Sequence, residues 1–340
     1  MLEVSARIVE LPLATPFTIS RGTQTIARNV VVELSHDGVA GMGAAAPSSF
    51  YGESAEHVMA TVPRLAECLG DDPFAIEAVF DRMNRSIRLN PAAKAAVDMA
   101  MWDLAGKLSG LPVHRMLGLS GLALPRTSFT IGIDDPGAMA QRAAEAAKRF
   151  SVLKVKLGSA DDLEIVKAIR RCTGATIRVD ANAAWTAKEA VTLAAQIAPL
   201  GVELLEQPVP PWDLDGLKFV RERAAVPVVA DESAVTWEDV PRLAGVVDGI
   251  NIKLMKCGGI TGALRMIRAA RACGLKIMLG CMVETSISIA AAAQIAGLVD
   301  WADLDGNLLL SHDPWKGVCV RDGGELVLAD APGLGVSPAE

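Results

Sequence analysis

The rhythm of apolar and polar positions changes near residue 121. Before it, residues 1 to about 60 alternate as strands do. Asn29-Val30-Val31-Val32-Glu33-Leu34 predicts a strand, and Ser35-His36-Asp37-Gly38 carries the turn chemistry of a hairpin. Residues 54–118 switch to helical spacing. Asn90-Pro91 starts one helix with proline just inside its N-terminus, and Gly110 closes it. Within it Ala95, Ala96, Met99, Trp102 and Leu104 share a face, the mark of core packing. From residue 121 onward, short apolar runs alternate with amphipathic, alanine-rich stretches. Candidate strands fall at 127–131, 153–157, 177–180, 203–206, 226–231, 249–254, 276–280 and 301–304. Residues 318–328 predict a last hairpin around Asp322-Gly323-Gly324, expected to return onto the N-terminal part.

Regular strand–helix alternation predicts an α/β chain with a parallel barrel of the TIM type. An open doubly wound sheet is the alternative, disfavoured because the first strand–helix turn has no GxGxxG. The expected division is an N-terminal domain over 1–120, the barrel over 121–305 and a returning segment over 306–340. Two stretches, 15–25 with Arg21-Gly22 and 46–54 with Tyr51-Gly52-Glu53, read as surface loops.

Composition narrows the possibilities. A net charge of −7 argues against nucleic acid. Six scattered cysteines with no CxxC pair predict reduced thiols. Residues 1–7 have neither a basic nor an apolar leader region, and no apolar run reaches the ~20 residues of a membrane span. The expectation is a cytoplasmic protein with no membrane partner. Homo-oligomers are common for such barrels.

The chemistry clusters at predicted strand ends. In Val152-Leu153-Lys154-Val155-Lys156-Leu157-Gly158 the two lysines lie two apart and share one face. Buried like charges need anions nearby. Asp180, Glu206 and Asp231 then close three successive strands, Lys253 follows, and Asp303 and Asp305 end the series. One acid at a strand end is explained equally well by a helix cap or a salt bridge. Three on neighbouring strands point to a hard divalent cation, Mg²⁺ by preference. Lys156 and Lys253 would then flank the ion. Desolvation near a cation depresses a lysine pKa, and each could act as a general base. Lys256 reads as a salt-bridge lysine, and Lys154 as a polariser of a substrate carboxylate oxygen. Asp303 and Asp305, with no lysine near them in sequence, would suit a substrate ammonium; a cap or supporting role is the alternative. Thr130, on the first barrel strand, joins the candidate substrate-binding set.

Lys154-Val155-Lys156, Asp180-Ala181-Asn182, Glu206-Gln207-Pro208, Asp231-Glu232-Ser233 and Asn251-Ile252-Lys253-Leu254 together resemble the enolase superfamily, and within it the muconate-lactonising-enzyme subgroup. Trp102-Asp103-Leu104 and Gly280-Cys281-Met282-Val283-Glu284 extend the resemblance over nearly the whole chain. It implies a modified (β/α)₇β barrel with an α+β capping domain, Mg²⁺ held by Asp180, Glu206 and Asp231, and Lys156 with Lys253 as the acid/base pair. Asp303-Leu304-Asp305-Gly306 is similar to the DxD signature of dipeptide epimerases, whose acids hold the substrate α-ammonium. Arg21 resembles the capping-loop arginine used by those acting on L-Ala-D/L-Glu. The implied activity is 1,1-proton transfer at the α-carbon of a dipeptide's C-terminal residue. Ala44 stands where the family usually has Glu, which would alter a loop contact. Alternatives on the same scaffold are an N-acylamino-acid racemase, an o-succinylbenzoate synthase, a muconate-type cycloisomerase, or a catalytically dead binding protein. A dehydratase of the mandelate-racemase type would show a histidine base, and His36, His57, His114 and His312 all lie away from these strand ends.

Overall fold

A computed structural model describes residues 2–339. The chain opens with an antiparallel sheet of β1 (Glu3–Ile19), β2 (Gly22–His36) and β3 (Val39–Ala45) in that spatial order. Asp37 and Gly38 turn β2 into β3 with φ of 50° and 79°, the left-handed pair that an Asp-Gly hairpin provides. The stretch 15–25 is not a loop. Pairing of β1 with β2 is broken between Pro12 and Phe17 but resumes to Ile19 and Gly22, so Ser20-Arg21 is the tip of a ribbon. β-branched Thr18, Ile19, Thr23 and Ile26 keep the strands extended there, although their polar neighbours hide the pattern. The stretch 46–54 does stay irregular apart from one 3₁₀ turn, Ser49–Tyr51, capped by the Ser48 hydroxyl.

Three helices follow: α1 (Ala55–Ala66), α2 (Ile76–Ser86) and α3 (Pro91–Ser109). Helix α3 begins and ends at the predicted Asn90-Pro91 and Gly110. Small residues let it lie directly on β3. A Cβ on Gly43 would fall 2.0 Å from the Ala96 carbonyl, and one on Gly41 2.4 Å from that of Ala100. Ala44 lies in β3 and is fully buried, so the position expected to alter a loop contact belongs to the core.

The eight-stranded parallel sheet runs β4 (Phe129–Ile131), β5 (Val152–Lys156), β6 (Thr176–Asp180), β7 (Val202–Glu206), β8 (Val228–Ala230), β9 (Gly249–Lys253), β10 (Lys276–Gly280) and β11 (Trp301–Asp303), each paired with its sequence neighbours. A bridge between Thr127 and Ala302, with Leu304 N donating to Thr127 Oγ1 at 2.7 Å, closes the ring. That use of residues 127 and 128 shortens the first predicted strand. Register places Lys156 beside Asp180, Asp180 beside Glu206, and Gly280 beside both Lys253 and Asp303. Asp231 follows the last residue of β8. Lys156, Asp180, Glu206, Lys253 and Asp303 therefore share the C-terminal rim with Asp231, while Lys154 stands in register with Thr130 and Arg178 one step deeper.

The predicted last hairpin exists, as Cys319–Arg321 paired with Glu325–Val327. Its side chains share a cavity with His114 and Leu119 of the N-terminal part, and its backbone bonds run to the barrel. Gly324 O accepts from Thr127 N at 2.9 Å, and Gly323 O from Ser151 Oγ at 2.8 Å, at the opposite rim of the barrel. The contact with α3 is made further on. Buried Asp103 accepts from Leu334 N and from Met42 N, both at 2.8 Å, and pairs with Lys107 at 2.7 Å. Among the described residues no helix is long and apolar enough to cross a membrane.

Candidate active site

The rim opens into a cavity of about 530 Å³ roofed by the ribbon tip and the 46–54 stretch. Its lining includes Arg21, Phe50, Thr130, Lys154, Lys156, Asn182, Lys253, Asp303 and Asp305. Asp180, Glu206 and Asp231 sit beneath, essentially inaccessible, each offering an oxygen within 4.8 Å of the other two. Lysines bracket this triad along the arc of strands. Lys156 on β5 meets Asp180 at 2.7 Å, and Lys253 on β9 meets Asp231 at 2.8 Å. Lys256 is fully buried and holds the other oxygen of Asp231 at 2.5 Å, the salt bridge expected of it.

An all-oxygen set of buried carboxylates is the donor chemistry of a hard divalent cation. Glu206 supports the fit. Asn251 Nδ2 donates to its Oε1 at 2.8 Å, while among the described residues Oε2 meets only the Lys154 ammonium, at 2.8 Å. Burial, and then the charge of Asp180, push the Glu206 carboxyl up to about 8. Asp180 and Asp231 go the other way: burial would raise them, but the lysines at their oxygens hold both below the usual carboxylate range. The group still short of positive charge is therefore Glu206, at the middle of the triad.

Lys154 has the acids that a buried lysine needs. Its ammonium contacts Asp303 at 2.7 Å, Glu206 at 2.8 Å and Asp180 at 3.2 Å. Burial alone would lower its pKa, but these three acids hold it well above the ordinary lysine value. At Lys253, too, the charge of Asp231 outweighs burial and raises the pKa above the ordinary lysine value. The acids at the barrel end are also less alike than their spacing suggests. Asp303 does have a lysine partner, Lys154, and accepts from Ser128 Oγ at 2.6 Å. Asp305 accepts from Thr130 N at 2.6 Å. Burial, with Asp303 adding to it, lifts Asp305 to about 7. Asp305 is thus the more weakly compensated anion of the pair. Thr130 lines the cavity beside this bond.

Arg21 reaches the cavity from the ribbon tip. Its Nη1 lies 2.8 Å from Glu232 Oε1 and donates to Asn182 O at 3.0 Å, and its guanidinium lies over the Phe50 ring, 4.4 Å from the centroid.

The order of charged residues around this rim can be set beside known proteins. The model of the mandelate racemase/muconate lactonizing enzyme N-terminal domain matches residues 1–118, and that of the enolase C-terminal domain-like family matches 138–340. The chain belongs to the enolase superfamily. Within this superfamily it is 42% identical to an L-Ala-D/L-Glu epimerase of Bacteroides thetaiotaomicron, over 96% of this chain and 85% of the relative. It superposes with a TM-score of 0.94 on a dipeptide epimerase of Enterococcus faecalis complexed with Mg and L-Leu-L-Tyr, at 39% identity and over 98% and 99% of the two chains. A substrate-liganded L-Ala-D/L-Glu epimerase of Bacillus subtilis gives 0.94 at 34% identity, over 99% of each chain.

Four residues of this enolase-superfamily site escape sequence reasoning. Glu232, Asn182 and Asn251 stand inside or beside quoted motifs, one or two positions from a metal or lysine candidate, and could have been found there. Phe50 could not: the adjacent Tyr51 is the more conspicuous residue, yet Phe50 lines the cavity. Cys281 lines it too, donating from Sγ to Asp303 O at 3.2 Å, and burial pushes its thiol well above the usual range. All six cysteines are unpaired.

Proposed function

We propose that this chain is a Mg²⁺-dependent dipeptide epimerase that inverts the α-carbon of a dipeptide's C-terminal residue, with L-Ala-D/L-Glu as the leading substrate. The observation that carries this reading is the shared cavity. Two buried acids at its barrel end, suited to a free ammonium, face the same space as two lysines that flank a three-carboxylate metal set. The names and bound dipeptides of the relatives above support the same class.

Asp180, Glu206 and Asp231 would hold the ion. Mg²⁺, when bound, supplies positive charge at the substrate carboxylate, where negative charge grows as the α-proton departs. The rest falls to the chain's own groups. Asp305, with Asp303 behind it, holds the substrate's α-ammonium at one end of the cavity. Lys154 presents its ammonium to a carboxylate oxygen. Lys156 and Lys253 approach the α-carbon from the two sides of the arc; one takes the proton and the other delivers one to the opposite face. The ribbon tip and Phe50 keep water from the reacting carbon. Arg21 receives a carboxylate on the second side chain.

The test is a dipeptide library incubated in D₂O with Mg²⁺ and scored for deuterium at the α-carbon of the second residue. Free L-Ala-L-Glu should exchange and its N-acetyl derivative should not, because acetylation removes the cation that Asp305 is proposed to hold. Faster exchange of the acylated substrate would move the assignment to an N-acylamino-acid racemase.

A further inference from the structure

The guanidinium of Arg21 is committed along one edge only. Nη1 carries both polar contacts, to Glu232 Oε1 and to Asn182 O, and Phe50 covers one face. No partner among the described residues meets Nε or Nη2, and a third of the side chain stays exposed at the cavity wall. Glu232 is the opposite case. Its side chain is 1% exposed, and its Oε2 has no hydrogen-bond partner among the described residues. It follows Asp231 in sequence but lies outside the group of three carboxylates that can hold a metal. A buried carboxylate is costly unless a cation answers it, and among the described residues Arg21 makes its one ion pair.

We infer that Glu232 is a positioning residue for the second side chain of the substrate. It pins the Nη1 edge of Arg21 against Asn182 and Phe50, leaving the Nε and Nη2 edge as a preset fork. A carboxylate fits such a fork with two parallel bonds. An arginine held before binding has less freedom to lose when the ligand arrives, so the pair strengthens recognition of an acidic side chain although it spends part of the charge. This inference rests on the epimerase reading and specifies its substrate class as dipeptides with an acidic second residue.

The experiment compares kcat and KM for L-Ala-L-Glu and L-Ala-L-Leu in the Mg²⁺-loaded enzyme and its Glu232→Ala, Glu232→Gln and Arg21→Ala variants. In Glu232→Ala, KM for L-Ala-L-Glu should rise about tenfold, the scale of a charge-assisted hydrogen bond, and the acidic-to-neutral ratio of kcat/KM should fall with it. Glu232→Gln should recover most of that ratio, since an amide oxygen still accepts from Nη1. Removing Glu232 from Arg21→Ala should not lower the ratio further. A lower KM for L-Ala-L-Glu in Glu232→Ala would overturn the inference by making Glu232 a competitor for Arg21. An equal loss on both dipeptides, with weaker Mg²⁺ binding in calorimetry, would overturn it by making Glu232 a support for Asp231. If Glu232→Ala does not fold, Glu232→Asp retracts the carboxylate by one methylene, and an unmoved ratio there overturns it too. A wild-type enzyme that exchanges no dipeptide refutes the epimerase reading itself; an active one with an unmoved ratio refutes only the role of Glu232.

Discussion

The contact between β3 and α3 and the C-terminal rim of the barrel are equally buried and opposite in kind. At the first, Gly41 and Gly43 bring backbone against backbone, and the neighbours are Ala96, Ala100 and Leu104. At the second, four lysines and four acids form two adjoining clusters: Lys154 and Lys156 with Asp180, Glu206 and Asp303, and Lys253 and Lys256 with Asp231. Close packing needs nothing but volume, so its whole yield is stability. Buried ion pairs recover little net stability after desolvation, so stability alone does not account for so many of them at the rim. Damage to the first region should therefore appear as unfolding, and damage to the second as lost turnover in a folded protein.

The sharpest way to break that contrast is at the lysines. Lys156→Ala and Lys253→Ala should each lower kcat for epimerisation by about 10³- to 10⁴-fold, at the upper range for a positioned acid or base. Each should abolish solvent exchange from one α-carbon face, read by NMR of the two diastereomers in D₂O. If the double variant stays active, the rim is not the seat of the chemistry. Next comes Gly43→Ala, whose new methyl would meet the Ala96 carbonyl at 2.0 Å. Overpacking backbone in this way should cost about 3 kcal/mol or more, seen in denaturant titration, and a midpoint like the wild type's would refute the packing account.

Asp305→Asn should matter less, and selectively. Removing the less compensated anion should lower kcat/KM for free dipeptides about 10- to 100-fold, the worth of a buried charged hydrogen bond, with little change in Tm. Equal kinetics would detach Asp305 from the ammonium. The smallest effect tests a charge buried in the packed region instead of the rim. Asp98 in α3 accepts from Thr261 N at 3.0 Å, and burial pushes it up to about 7, with the charge of Glu77 adding to the rise. The folded state then binds a proton more tightly than the unfolded one. Its contribution is full below about pH 4 and is lost as pH rises through about 7. Asp98→Asn should keep the bond and escape that loss, so its Tm advantage should grow by about 2–4 °C between pH 5 and pH 8. A constant difference would mean that Asp98 does not titrate there.

The same contrast explains what could be read in advance. Charges in apolar runs stand out, so Lys156, Asp180, Glu206, Asp231 and Lys253 are legible from spacing, and the parallel strand order follows from their regular recurrence. The partners they take are not legible. Lys154 meets Asp303, 149 residues on, because the ring closes, and no local pattern announces closure. The glycine contact is silent for a related reason: Gly41 and Gly43 look like turn residues until α3 is laid on them. The ribbon at 15–25 was obscured by its exposed, polar faces, since alternation is informative only where one face is buried.

Asp103 has one further consequence, for how a break would spread. It joins Met42 of β3 to Leu334, beyond the barrel. Without the residues around Leu334, this buried carboxylate would keep an oxygen with no donor. Their removal should therefore loosen the seating of β3 on α3, although every residue of that contact would still be present.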